Sequence, residues 1–314
     1  MNVIMTAPRL AAEAVAVIEA AGGVVHYMRP YPSADEVTDL ARTLNPVAIL
    51  SRQGPVTAAT MDAAPALRIV ARHGVGVEDV DIPAATARGI VVARAPGSNT
   101  RAVAEHTMAM ALALLKDLPP LSRHVAAGHW RDATTKVRDI AGLRLGLLGC
   151  GAIGRAVANL AQAFGMRVFA FDPAGADIPG VTRMPDPAAL WPIADVLSLH
   201  LPFSPATRHI VDAAALAALP TGAIVLNTAR GGLIDEAALR AALDRGHVAG
   251  AGLDVFETEP PAADDALRGH NRVIATPHVA GVTDGSLVTM GVMAAECIAA
   301  ILRGDPVPSE RLVR

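Results

Sequence analysis

Two α/β domains are predicted for this chain from three observations: its length, an alternation of short β-branched runs with Ala-rich helical patterns, and a glycine fingerprint near its middle. At 314 residues the chain exceeds what one hydrophobic core comfortably fills, so two compact units are expected. Strands alternating with helical patterns are the grammar of βαβ units, which carry a parallel sheet. The fingerprint places the second unit in the doubly wound class.

In chain order, strands are expected at Val3 to Thr6, Val24 to Tyr27, Ala48 to Ser51, Ile69 to Ala71 and Ile90 to Val92, enough for a separate first α/β domain. A long helix from about Arg101 to Lys116 leads into Asp117-Leu118-Pro119-Pro120 and a polar arm containing Gly128-His129-Trp130. The middle unit begins at Leu143 to Leu148, an apolar run broken only by Arg144. Ile153 to Phe164 follows as a helix closed by Gly165, and Arg167 to Phe171 as the next strand. Further strands are expected at Val196 to Leu199, Ala223 to Leu226 and Val273 to Ala275, and Asp235 caps a helix that ends at Gly246. The last helix, Asp284 to Leu302, is stopped by Gly304 and Pro306. Too isolated to be a domain, it is expected to bury its apolar positions against the first one. The expected domains are therefore residues 1–98 plus 283–314, discontinuous, and residues 99–282. No solenoid-period repeat or low-complexity segment is found.

Composition narrows the function classes. Lys plus Arg number 27 and Asp plus Glu 30, leaving no positive excess for a phosphate backbone, so nucleic acid is not an expected partner. Of the residues, 52% are hydrophobic, but the longest apolar stretch, Ala102 to Leu115, is interrupted by Glu105 and His106; no bilayer-spanning window is expected. Met1 to Thr6 lacks the basic start of a secretory signal and reads as a buried strand, which points to the cytoplasm. Cys150 and Cys297 lie far apart in apolar surroundings, as space-filling reduced thiols do, and neither CxxC nor HExxH occurs, so no metal site is expected.

Gly149-Cys150-Gly151-Ala152-Ile153-Gly154 sits between a predicted strand and a predicted helix, the context that makes GxGxxG informative. Gly149 permits the tight turn, Gly151 lets backbone approach a pyrophosphate, Gly154 lets helix and strand pack closely, and the helix N-terminus faces the anion. Asp172 ends the next strand, 18 positions after Gly154, where a carboxylate accepts both ribose hydroxyls and repels a 2′-phosphate. With Pro173, Ala174 and Gly175 following and no arginine, NAD is expected over NADP.

Three later segments hold polar groups that packing does not require: Asn227-Thr228-Ala229-Arg230-Gly231-Gly232, Gly252 to Pro260 with Asp254 and Glu259, and Thr276-Pro277-His278-Val279-Ala280-Gly281. Each follows a predicted buried strand, and in open α/β sheets the carboxyl ends of strands face the ligand. An arginine, a carboxylate and a histidine are thus expected to converge.

With these segments, with His73-Gly74-Val75-Gly76, with Asn99 and Val103-Ala104-Glu105, and with His200-Leu201-Pro202, nearly the whole chain resembles the D-isomer-specific 2-hydroxyacid dehydrogenases. That family includes phosphoglycerate dehydrogenases and glyoxylate or hydroxypyruvate reductases. The resemblance implies a flavodoxin-like substrate domain beside an NAD-binding Rossmann domain, and NAD-dependent interconversion of a small D-2-hydroxy acid and its 2-oxo acid. It implies His278 as acid and base, Glu259 as its partner and Arg230 on the substrate carboxylate. Backbone of Val75 and Gly76, with Asn99, would bind substrate, and Arg52 and Arg72 are candidates for a distal anionic group. Cofactor contacts would come from Gly149, Gly151, Ala152, Ile153, Gly154, Asp172, His200, Pro202, Thr228, Ala229, Asp254 and Gly281. Ala152 departs from the family, where a basic side chain is frequent, and Glu259 argues against formate dehydrogenases, which use glutamine there. A homodimer through the NAD-binding domains is implied, the arm around Trp130 reaching the neighbouring subunit. His106, His200 and His270 have no such partners and read as structural or peripheral in their side chains. A different reading on the same fold is an NAD(H)-sensing interaction protein of the corepressor type.

Overall fold

A computed structural model describes residues 1–174 and 178–313. Gly175, which entered the cofactor argument, lies outside them. The chain divides into one unit of Met1–Asn99 with Val282–Arg314 and a second of Thr100–Gly281.

The first unit holds five parallel strands, β1 (Asn2–Met5), β2 (Val24–Tyr27), β3 (Ala48–Ser51), β4 (Ile69–Arg72) and β5 (Val91–Ala93), in the order β2-β1-β3-β4-β5. Helices α1 (Ala12–Ala20), α2 (Ala34–Leu44), α3 (Ala58–Asp62) and α4 (Ile82–Ala87) connect them. The period of two decides which residue faces which layer: Val3 and Met5 point into one core, with Ile18 of α1, and Ile4 into the other, with Ala41 and Met61.

The second unit begins with α5 (Thr100–Leu115) and α6 (Leu118–Ala126), then β6 (Arg144–Leu148), α7 (Ala152–Ala163), β7 (Arg167–Phe171), β8 (Val181–Arg183), β9 (Val196–Leu199), α8 (Ala213–Ala218), β10 (Ala223–Asn227), α9 (Glu236–Asp244), β11 (Val248–Leu253) and β12 (Val273–Ala275). Its seven strands run parallel in the order β12-β11-β10-β9-β6-β7-β8. Helices α5 and α7 cover one face and α8 and α9 the other. Asp235 accepts from the Ala238 amide and caps α9, as its position before Glu236 predicts.

The final helix, α10 (Asp284–Arg303), packs on α1 in the first unit, where Gly291 lets it approach so closely that a Cβ there would lie 3.2 Å from that of Ala14. By length and composition this helix passes the test for a membrane span, which corrects the expectation that no window does. More than half of it is buried within the protein, and Cys297, Ile298 and Ile301 belong to the first unit's core, as in the core helix of a globular unit.

Two strands outside the sequence expectations are β8 and β11. The latter reads Val-Ala-Gly-Ala-Gly-Leu, and its glycines hid it. A Cβ on Gly252 would stand 3.0 Å from Met110 of α5 and 2.9 Å from Leu226, so the missing side chains let that helix lie directly on the strand. Helix α6, Leu118–Ala126, ahead of the arm that contains Gly128-His129-Trp130, also lay outside the sequence expectations.

Candidate functional site

The sheet register of the second unit brings the chemistry to one edge. Phe171, Leu148, Leu199, Asn227, Leu253 and Ala275 pair in a single row across β7, β6, β9, β10, β11 and β12. The residues that follow them, Asp172, Gly149, His200, Thr228, Asp254 and Thr276, therefore leave the sheet side by side at its carboxyl edge. Strand order reverses between β6 and β9, the switch point at which open α/β sheets bind ligands.

The glycine loop stands at that switch. Gly149 has φ +96°, and a Cβ on it would lie 2.6 Å from the His200 carbonyl oxygen; one on Gly154 would lie 2.2 Å from the Gly149 oxygen. Neither position accepts a side chain. Gly151 differs: nothing lies within 4 Å of where its Cβ would be, and it starts α7 with no side-chain cap on the helix amides. Open space beside uncapped amides of a twelve-residue helix, with Ala152 and Ile153 in its first turn, suits a pyrophosphate. The Asp172 carboxylate accepts from the Cys150 amide at 2.5 Å and from the Ala174 amide at 2.8 Å, so it caps its own turn and also braces the fingerprint. His200 touches that loop through its backbone. Its ring bonds Ser198, and burial pushes it down to about 4. Pro202 is exposed and its carbonyl accepts from Thr207.

On the other side of the switch, Asn227 fixes the turn that presents Arg230: its amide donates to the Arg230 carbonyl at 2.9 Å, and its oxygen accepts from the Ala229 amide at 3.0 Å. A Cβ on Gly231 would fall 1.9 Å from the Phe256 carbonyl carbon. Only glycine there lets the loop after β11 pass beside Arg230, and that loop carries Glu259. A Glu259 carboxylate oxygen lies 2.6 Å from His278 Nδ1, while the other accepts from the Phe256 amide.

His278 takes φ +52°, a left-handed conformation held by its amide donating to the Asp254 and Thr276 carbonyls. Buried Asp254 completes the turn, accepting from Thr276 Oγ1 at 2.5 Å and from the Val279 and Ala280 amides. Gly281 closes the same segment. Thr228 is buried, its hydroxyl 2.9 Å from that of Thr107 on α5.

The Glu259 bond raises the His278 proton affinity above its ordinary value, against the opposing effect of burial. Burial alone would raise Glu259, but the bond and charge of His278 bring it below the usual carboxylate range. His73 and His200, by contrast, are pushed down to about 4 by burial. Those two rings are neutral near pH 7, whereas the shift of His278 is in the opposite direction, toward its charged form.

His106, read as structural or peripheral and without a partner, lies 3.1 Å from Thr276 Oγ1 and so steadies the Asp254 turn, as does Thr276 itself. Helical spacing puts His106 on the face toward β11, but nothing in sequence announces a partner 170 residues away.

In the first unit, Ser51 and Arg72 pair in the register of β3 and β4, so Arg52 and His73 leave that sheet together. Arg72 is committed within the unit, to Asp79 at 2.9 Å and to the Gly76, Arg52 and Ser51 oxygens. It holds the loop bearing Val75 and Gly76, so that its expected reach to a distal anion gives way to a supporting role. Half-buried Arg52 makes no side-chain hydrogen bond or ion pair among the described residues, and burial lowers its proton affinity. The buried Nδ1 of His73 and Oδ1 of Asn99 also lack hydrogen-bond partners. Among the described residues no cluster suited to a metal ion occurs.

This site defines a class, a dinucleotide-binding α/β protein with a paired histidine and carboxylate at the carboxyl edge of its sheet. Residues 108–280 match the family model for the NAD binding domain of D-isomer specific 2-hydroxyacid dehydrogenases, and the chain belongs to that family. It is 39% identical over 254 residues to the D-3-phosphoglycerate dehydrogenase of Methanocaldococcus jannaschii, a match covering 80% of this chain and 48% of that protein. The chain thus spans about half the length of the curated relatives it matches. A crystal structure of the TT0316 protein from Thermus thermophilus superposes with a TM-score of 0.93 at 34% identity, covering all of both chains. D-lactate dehydrogenase from Aquifex aeolicus, solved with NAD and lactic acid, superposes with a TM-score of 0.84 at 28% identity, covering 100% of this chain and 99% of that one. The cofactor of this family's domain is NAD, and the open Gly151 cradle fits it.

Proposed function

We propose that this chain is an NAD-dependent dehydrogenase interconverting a small D-2-hydroxy acid and its 2-oxo acid. The observation that carries the reading is the 2.6 Å contact between His278 and Glu259 at the edge of the sheet that also holds the glycine cradle. NAD, when bound, supplies the hydride donor or acceptor. His278 gives a proton to the carbonyl oxygen in reduction and takes it from the hydroxyl in oxidation, while Glu259 fixes the ring's orientation and favours its charged form. Arg230 offers a planar fork to the substrate carboxylate. Asp254, Thr228, Ala229 and Gly281 support the nicotinamide, Asp172 takes the ribose hydroxyls, and His200 and Pro202 line the cofactor path. Val75, Gly76 and Asn99 are the further substrate-binding groups of this reading.

Arg52, rather than the committed Arg72, is the group for an anion at the far end of the substrate. A kinetic panel of 2-oxo acids with and without a terminal phosphate or carboxylate tests this through kcat/KM. The free, buried thiols fit a reducing cytoplasm.

The decisive experiment is NADH oxidation with 2-oxo acids by the protein and by His278→Asn, a residue that tolerates the left-handed backbone. Loss of about 10²-fold or more in kcat with NADH affinity retained is expected. A wild-type protein that binds NADH without turning over any such acid would favour the sensor reading instead.

A further inference from the structure

His209 and Glu257 form a second histidine–carboxylate contact in the same unit, one that no step above uses. The His209 Nε2 meets a Glu257 oxygen across 48 residues of sequence, with both side chains about one-third exposed. His209 is also one of the few non-glycine residues with positive φ, at +49°. Its amide donates to the Gly232 carbonyl, two residues after Arg230, at 2.9 Å.

Glu257 lies in the loop that carries Glu259. From Val255 to Pro261 that loop makes no backbone-to-backbone hydrogen bond among the described residues, so side chains must hold it. Three do. Glu236, in the first turn of α9, accepts from the Glu257 amide at 2.8 Å, Glu259 accepts from the Phe256 amide at 3.1 Å, and His209 grips the Glu257 carboxylate from the opposite strand connection. Glu259 cannot serve as the loop's independent anchor, because its other oxygen is engaged by His278. The charges around the pair are Glu236, Glu257, Glu259 and Asp265 on one side and His209, His278 and Arg230 on the other. Without His209 the two glutamates of the loop, with Glu236 of α9 beside them, face one histidine, His278.

We propose that His209 is a positioning residue for the acid–base pair: by holding Glu257 it fixes the loop that presents Glu259 to His278. This rests on the dehydrogenase reading above. It makes His209 neither a proton donor nor a substrate ligand, and assigns it the geometry of the Glu259 contact.

His209→Asn keeps a residue that accepts positive φ while removing the reach to Glu257. Relative to wild type we expect kcat to fall by roughly ten-fold, as misplacement of a catalytic partner implies. Because a loosened Glu259 no longer supports charged His278, the high-pH limit of the reductive kcat/KM should move to lower pH, while NADH affinity by fluorescence stays unchanged. Glu257→Gln, whose amide oxygen still accepts from a neutral imidazole, should retain most activity, and Glu257→Ala should match His209→Asn. An unchanged pH limit and kcat in His209→Asn would overturn the proposal, as would Gln and Ala at 257 behaving alike. If His209→Asn fails to fold, the Glu257 pair alone decides. An active His278→Asn would sink the parent reading, whereas an inactive His278→Asn beside a fully active His209→Asn would sink this one only.

Discussion

At the scale of single residues, the placement of His278 answers a question that its residue type cannot. A lone histidine after a strand is more often a packing residue, and His73 and His200, both near strand ends, are of that kind: burial holds each neutral near pH 7. What separates His278 is a carboxylate 2.6 Å from its Nδ1 and a left-handed backbone stabilised by Asp254. The pairing gives a pH prediction with a definite sign. Reduction needs protonated His278, so its kcat/KM falls as pH rises through a value raised by Glu259; oxidation needs the neutral ring and rises over the same range. Glu259→Gln keeps a hydrogen-bond acceptor but removes the charge, so the reductive limit should move to lower pH and the oxidative limb should begin earlier. Profiles of both directions in wild type and variant check this, and a limit that stays in place would remove Glu259 from the tuning. Arg230 and His278 were legible in sequence because each follows a strand of regular apolar sequence, whereas Glu259 follows the glycine-bearing β11. Their partners were less so: His106 and Thr276 bond across 170 positions, and Arg72 was indistinguishable from Arg52 until its contacts to Asp79 and Gly76 were seen.

At the scale of elements, strands of regular β-branched composition were legible to within a residue or so, as at Ala48–Ser51 and Val196–Leu199, since a fully buried parallel strand must read as a continuous apolar run. β11 broke that rule. Its Gly250 and Gly252 lower strand propensity, yet they are what the packing demands, because Leu114 and Met110 of α5 occupy the space where side chains would stand. Gly252→Ala should therefore destabilise the protein by about 1–3 kcal/mol, the range for overpacking a filled core. Urea unfolding followed by circular dichroism would measure it, and an unchanged midpoint would show that α5 yields without cost. The consequence reaches the site, since β11 delivers Asp254 and α5 delivers His106 to the turn that holds His278, while Thr107 of α5 meets Thr228 after β10. Close approach of this helix to this strand is thus a condition of the acid–base geometry, although no glycine of β11 touches it.

At the scale of the whole molecule, the segment from Leu118 to Val137 is the feature that a single chain leaves unexplained. No residue of α6 is buried, and Leu118, Val125, Trp130 and Val137 are all exposed, Trp130 at 75%. One exposed apolar side chain is ordinary on a surface, but four along one segment are what a partner surface would cover. The arm adjoins a cavity of about 1030 Å³, lined in part by Leu114, Pro120, His124, Val137 and Ile274, beside the sheet's edge strand β12. A second copy, as the family resemblance implies, would cover both the apolar arm and this open edge, and a two-fold axis would let each arm lie on its partner. Light scattering should then report about twice the 32.3 kDa chain mass. Trp130→Ala with Val125→Asp should shift the protein toward monomer at low micromolar concentration, because truncating a buried aromatic anchor commonly costs an interface about 2 kcal/mol or more. A chain-sized mass for the wild-type protein at high concentration would refute the dimer. A mass unaffected by the double variant would place the interface on another surface and leave the arm's apolar face to a different partner.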